Sequence, residues 1–325
     1  MSAHRVSTSA AFAFLAGVVV AVQGRINGEL GHVLADGVLA AVINFGVGLA
    51  LLVVIIASRA SLRSAVSSVP QLVASRRLPW WTLCGGAAGA LYVASQGVTV
   101  AVLGVALFTV ATVAGQTGSS LLVDRVGVGP TGQVPVTTRR VGAAVLATFA
   151  VGLAAWGRSG GGGEAVLGFV LLAVAAGAAV AFQAAFNGRV SVATGQPTAA
   201  ALVNFVVGLA TLVVVLVLEH TVGGRAWPAM PAPMGDRGWL YLGGALGLFF
   251  IVTAAWTVRA LGVLLFSLVV LSGTLLGAVA LDVLVPTDGT RITPQLVVGV
   301  TLTLVSVALA VGRVPRRQRR AASTV

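Results

Sequence analysis

Apolar residues fall in runs of about twenty, separated by short breaks rich in Gly, Pro and Arg. A span needs about 20 mainly apolar residues to cross roughly 30 Å of hydrocarbon as a helix. The runs predict ten such helices, at 10–31, 37–57, 79–101, 104–123, 139–157, 165–189, 197–218, 238–259, 262–283 and 293–312. One run breaks the pattern: FAFLAGVVVAV leads into VQGRINGEL, which sets Gln23, Arg25, Asn27 and Glu29 at the end of an otherwise apolar helix.

That polar stretch recurs. Residues 23–54 align without a gap on residues 183–214, pairing Gln23 with Gln183, Asn27 with Asn187, and Asn44-Phe45 with Asn204-Phe205. Further along, Trp81 matches Trp239, Gly85-Gly86 matches Gly243-Gly244, LGVALF matches LGVLLF, Gly115 matches Gly273 and Asp124 matches Asp282. The unit holds five helices, and an odd number of passes forces the second copy into the bilayer upside down, as in inverted-repeat transporters. The expected fold is therefore an all-α polytopic membrane protein with ten transmembrane helices in two inverted five-helix repeats. Its expected divisions are residues 1–157, a Gly-rich linker at 158–164 (RSGGGGE), a second repeat at 165–313 and a basic tail at 314–325. Because the first helix has a partner within the chain, it reads as part of the fold and not as a cleaved signal segment.

Composition agrees with this class: 58% of residues are hydrophobic and 9% charged, too little charge to cover a soluble domain. The excess of arginine, net +12, sets orientation here and gives no reason to invoke nucleic acid. Arg59, Arg63, Arg76, Arg77, Arg125, Arg139, Arg140 and the tail from Arg313 to Arg320 fall on one side, against Arg158, Arg225, Arg237 and Arg291 on the other. The expectation is a multi-pass protein of the inner or plasma membrane with both termini in the cytoplasm and the tail on anionic lipid. Cys84, the single cysteine, reads as a small core residue, and His32 and His220, at span ends, as solvated.

VAVQGRINGELG in the first helix, NFGVGLALL in the second and LGVALFTVATVAGQTGSSLLVDRVG in the fourth carry a family resemblance. The chain resembles the YdcZ-like family of the drug/metabolite transporter superfamily (EamA-like), as a fused duplicate of a five-helix form. The resemblance implies an exporter of small metabolites or drugs. The second copy departs from the pattern where Thr274 stands for Gln116 and Ala185 and Arg189 for Arg25 and Glu29.

Candidate site residues follow from polarity at membrane depth. Gln23 and Asn27 share a helix face, and the hairpin turn near 32–37 brings Asn44 to a similar depth, so three amides converge in the outer half. Gln183, Asn187 and Asn204 should converge in the inner half. Such amides either bridge helices or line a cavity and bind a small-molecule substrate, with Tyr92 and Trp256 as further wall residues. Arg25 and Glu29 form a charge pair, and Glu29 is a candidate site for a coupling proton or cation; a plain salt bridge is the other reading. Asp124 and Asp282 end the fourth and ninth helices, where a carboxylate opposes the macrodipole. Each is either paired to an arginine, such as Arg125 or Arg291, or a coupling-ion site. Tryptophans 80, 81, 156 and 239 read as interfacial anchors.

The sequence shows no phosphate-binding loop, metal-ligand cluster or nucleophile with base, so neither an enzyme nor a cofactor or metal is expected. The rival readings to a secondary transporter are a non-transporting scaffold or accessory subunit and a channel.

Overall fold

The computed structural model describes residues 3–130, 132–156, 163–224, 226–227, 236–286 and 292–311; within these helices the side chains of residues 3–6, 163, 255, 256, 258–260, 262–265 and 311 lie outside the description. Every regular element among the described residues is helical. The order is α1 (Ala3–Leu34), α2 (Gly37–Ala57), α3 (Ala60–Ser67), α4 (Val69–Ala74), α5 (Gly85–Val126) and α6 (Thr138–Trp156). It continues with α7 (Gly163–Thr194), α8 (Pro197–Thr221), α9 (Gly243–Leu284) and α10 (Pro294–Val311). One turn of 3-10 helix precedes each 42-residue helix, Trp80–Cys84 before α5 and Gly238–Leu242 before α9.

Five helical passes per repeat come from four long helices because α5 is two spans. At about 1.5 Å per residue the apolar stretch Trp80–Val126, 47 residues, exceeds twice the thickness of the hydrocarbon layer. It reverses at Gly104, whose φ of 74° and ψ of 165° belong to a region essentially confined to glycine. The α1–α2 turn is as tight: Ala35 turns left-handed at φ 49°, and Asp36 caps α2 by accepting the Leu39 amide at 2.8 Å. Gly195, at φ 67°, and Gln196 make the corresponding turn ahead of Pro197 in α8.

Contacts between the repeats exchange partners in matched pairs. Gly17 of α1 faces the backbone of Val270 and Thr274, and Gly177 of α7 faces Thr112. Gly273 of α9 faces Phe14, and Gly115 of α5 faces Val174 and Ala178. At each a β-carbon would come within about 2.2 Å of a carbonyl oxygen, so these crossings require the bare backbone that close membrane-helix packing favours. Each repeat therefore lays its first helix along the last part of the other repeat's 42-residue helix.

The pseudo-twofold axis runs through the repeated Asn-Phe-x-x-Gly sequence. Phe45 packs its ring over Gly208, Phe205 packs over Gly48, and the rings meet edge to face with centroids 5.3 Å apart. Each motif is thus half of a symmetric lock, with the Phe of one copy filling the space that the other copy's glycine leaves open.

Residues 58–78, which fall between two of the expected spans, hold the short helices α3 and α4. Leu62, Val66 and Val69 recur at helical spacing and turn one face inward, while Arg59, Arg63, Ser64 and Ser67 stay exposed. Large exposed apolar side chains such as Val54, Phe149, Leu171 and Val214 lie on the outside of the bundle, the surface a bilayer would cover.

Candidate functional site

Of the amides that the sequence singles out, Asn27 joins Asn44, and Gln183 and Asn187 join Asn204, while Gln23 lies against Gly247 with no hydrogen bond to Asn27 or Asn44. Asn44 donates to the Asn27 oxygen at 2.8 Å, and Asn27 donates to Gln96 at 2.8 Å. Asn204 accepts from Gln183 at 2.8 Å and from Asn187 at 3.2 Å. Facing them are glycines: Gly243 lies against Asn27 and Asn44, Gly247 against Gln23, Gly85 against Asn187, and Gly89 against Gln183. A methyl group at Gly243 would sit 2.5 Å from the Asn44 nitrogen.

Gln96 is the member that sequence reasoning missed. Its only signal was an amide within the apolar run LYVASQGVTV, and its counterpart in the second copy is Ala254. Tyr92, one helical turn before Gln96, packs on Phe108 with ring centroids 5.7 Å apart. The two groups also differ in exposure. Asn27 and Asn44 are 1% and 3% exposed, whereas Gln183, Asn187 and Asn204 are half-buried.

Asp124 and Asp282 separate the two ends of the bundle further. Asp282, 3% exposed, accepts the Val105 amide at 2.9 Å and the Ala106 amide at 2.8 Å. Both amides start the second span of α5, just beyond Gly104, so a carboxylate from the opposite repeat caps a helix N-terminus, where its charge favours the dipole. These two backbone amides are partners of Asp282 that the sequence expectation of an arginine did not include. Arg291 lies outside the described residues. Asp124 does have an arginine partner, but it is Arg140 of α6 and not Arg125, which is exposed.

Beside Arg140 lies a cavity of about 280 Å³ between α5, α6, α9 and α10, lined by Gln116, Thr117, Ser120, Arg140, Ser267 and Ala310 among others. It sits where α5 and α10 end and α6 begins. Exchanging the repeats maps Gln116, Thr117 and Ser120 onto Thr274, Leu275 and Ala278 at the other end of the same crossing. There no comparable opening exists among the described residues: Thr274, Leu275 and Ala278 are 7%, 0% and 0% exposed, and Leu275 and Ala278 pack with Ala106 and Val110 in one apolar cluster.

The remaining candidates are placed as follows. Arg25 and Glu29 approach to 4.0 Å within α1, at the limit of an ion pair, with the carboxylate the more exposed partner. Arg189 replaces that pair in the second copy by a different use: it donates to the carbonyls of Gly127 and Val128 at 2.8 and 2.6 Å, where α5 ends, and lies over the Trp81 ring. A cation at a helix C-terminus is favourably placed. The Trp256 side chain lies outside the described residues.

Two readings are corrected. Cys84 is exposed. His32 is exposed as expected, but His220 is buried, stacked on Trp227 at 4.0 Å and 3.6 Å from the Asp36 carboxylate. His220 sits at the end of α8, which packs beside the Asp36 turn of the other repeat, and a span end alone does not reveal such a neighbour.

Helices of this length and apolarity, paired across a pseudo-twofold axis with an off-centre cavity, define a polytopic α-helical membrane protein of the inverted-repeat kind. The chain belongs to the family described as "Putative inner membrane exporter, YdcZ", which it matches twice, over residues 8–153 and 168–309. It is thus a multi-pass inner membrane protein of a transporter family, with the family's unit present in duplicate. A comparison with curated proteins returned no match.

Proposed function

We propose that this protein is a secondary transporter that exports a small molecule by alternating access between its two repeats. The observation that supports this reading best is the unequal state of two equivalent ends. At one, Asp282 caps the helix after Gly104 and the crossing is packed; at the other, Asp124 pairs with Arg140 beside an open cavity. Carriers of this architecture work by exchanging such ends around a central site. The amide groups act as the seals: Asn27, Asn44 and Gln96 at the closed end, and Gln183, Asn187 and Asn204, which are more exposed, at the open one.

The arginine bias puts both termini, the 314–325 tail and the open cavity on the cytoplasmic side, ready to load outgoing cargo. Residues 1–157 and 165–313 serve as the two halves and residues 158–164 as their joint. Cargo of modest size fits a 280 Å³ cavity, at the small end of ligand pockets. Glu29 remains the candidate for a coupling proton or cation.

Reconstitution into liposomes, loaded in turn with a panel of labelled metabolites, tests this reading. A carrier gives saturable efflux accelerated by unlabelled compound on the far side. Flux without such counterflow would make it a channel, and no flux across the panel would favour a scaffold.

A further inference from the structure

Among the described residues, the cavity is lined by one guanidinium, the Gln116 carboxamide and the Ser267 hydroxyl, with no carboxylate. Arg140 is held there by Asp124, which lies outside the lining. The hydroxyls of Thr117 and Ser120 are already committed to the carbonyls of Val113 and Thr117. What the site offers a ligand is therefore a fixed positive charge whose present counter-charge belongs to the protein itself.

Asp124 also has a second place to go. Its repeat equivalent, Asp282, shows where: the amides of Val105 and Ala106 after Gly104. Applying the repeat match, Asp124 would reach the amides of Val263 and Leu264 after Gly262. Docking there requires leaving Arg140, and Arg140 would then stand uncompensated in a closing, partly buried site, which is strongly unfavourable. A ligand that carries its own negative charge removes that obstacle.

We propose that the cargo is a small organic anion, and that it closes the carrier by displacing Asp124 from Arg140, which frees the carboxylate to cap the span after Gly262 and seal the cavity beneath the cargo. This rests on the transporter reading above and adds to it the charge of the cargo and the latch that senses it. Closure without cargo is suppressed because Asp124 is held, and an electrically negative cytoplasm favours the exit of an anion.

The test reads closure by thiol labelling in the full-length protein in liposomes, with Cys84→Ala removing the native thiol and Ala310→Cys reporting on the cavity. Arg140→Gln should release Asp124 and slow labelling roughly tenfold without any ligand, as expected when the open state loses one charge-assisted bond. Asp124→Asn should leave labelling fast, and the double variant should follow Asp124→Asn. Acetate or benzoate should slow labelling when Asp124 is intact and not in Asp124→Asn; acetamide and benzamide should do nothing in either.

Equal labelling in all three latch variants would overturn the latch. Protection by an anion that persists in Asp124→Asn would mean mere shielding of the thiol, and protection by the amides, or by no anion, would refute the cargo class. Because labelling needs no flux, a latch that behaves as stated in a protein that moves nothing would instead count against the transporter reading.

Discussion

Replacing Asp282 by alanine tests the cap that it places on the second span of α5. The carboxylate accepts two amides at 2.9 and 2.8 Å, from residues that are 1% and 0% exposed, so water cannot take its place. Each buried amide left without an acceptor costs about 1–3 kcal/mol, so Asp282→Ala should lower stability by about 2–6 kcal/mol. Asp282→Asn keeps one acceptor oxygen but turns an NH2 group toward the other amide, and should cost roughly 1–2 kcal/mol. Reversible unfolding in mixed micelles, followed by tryptophan fluorescence, measures both against wild type. The stated order, Ala worse than Asn, matters as much as the size. If Ala lies within about 0.5 kcal/mol of wild type, or Asn is as damaging as Ala, the cap does not carry the energy assigned to it.

Other contacts make equally direct claims. Gly208→Ala would place a methyl group 2.2 Å from the Phe45 ring; such overpacking costs about 1–3 kcal/mol. Phe45→Leu in the same chain should recover part of that cost, as a double-mutant cycle would show. Asn27→Ala removes the partner of both Asn44 and Gln96, at about 1–2 kcal/mol in a membrane bundle, and adding Gln96→Ala should cost little more. Arg189→Ala strips the end of α5 of its guanidinium donors and should lower the unfolding temperature, with Arg189→Lys restoring part of the loss because a point charge cannot reach both carbonyls with the same fork.

Much of this architecture can be read from the chain because its causes are local or repeated. Apolar runs of fixed length declare helices that must satisfy their own backbone in lipid. Self-similarity then declares duplication, and an odd count of spans its inversion. The amides at positions 23, 27, 44, 183, 187 and 204 stood out because polar side chains at membrane depth need partners. Glycines at 85 and 89, and at 243 and 247, four apart, give each helix one small face.

What those faces are for was not visible, because each is completed by the other copy. The glycines of one repeat receive the amides of the other, Phe45 needs Gly208, and Asp282 needs the amides beyond Gly104. A repeat in sequence says that two units are equivalent; it carries no term for the distance between them. Nor could it say that the equivalence is broken, with Asp282 capping and Asp124 paired to Arg140, one end of the crossing packed and the other open. Identical motifs dictate identical local preferences, but closing both ends of one crossing at once is a property of packing between halves. That choice was left to the tertiary structure.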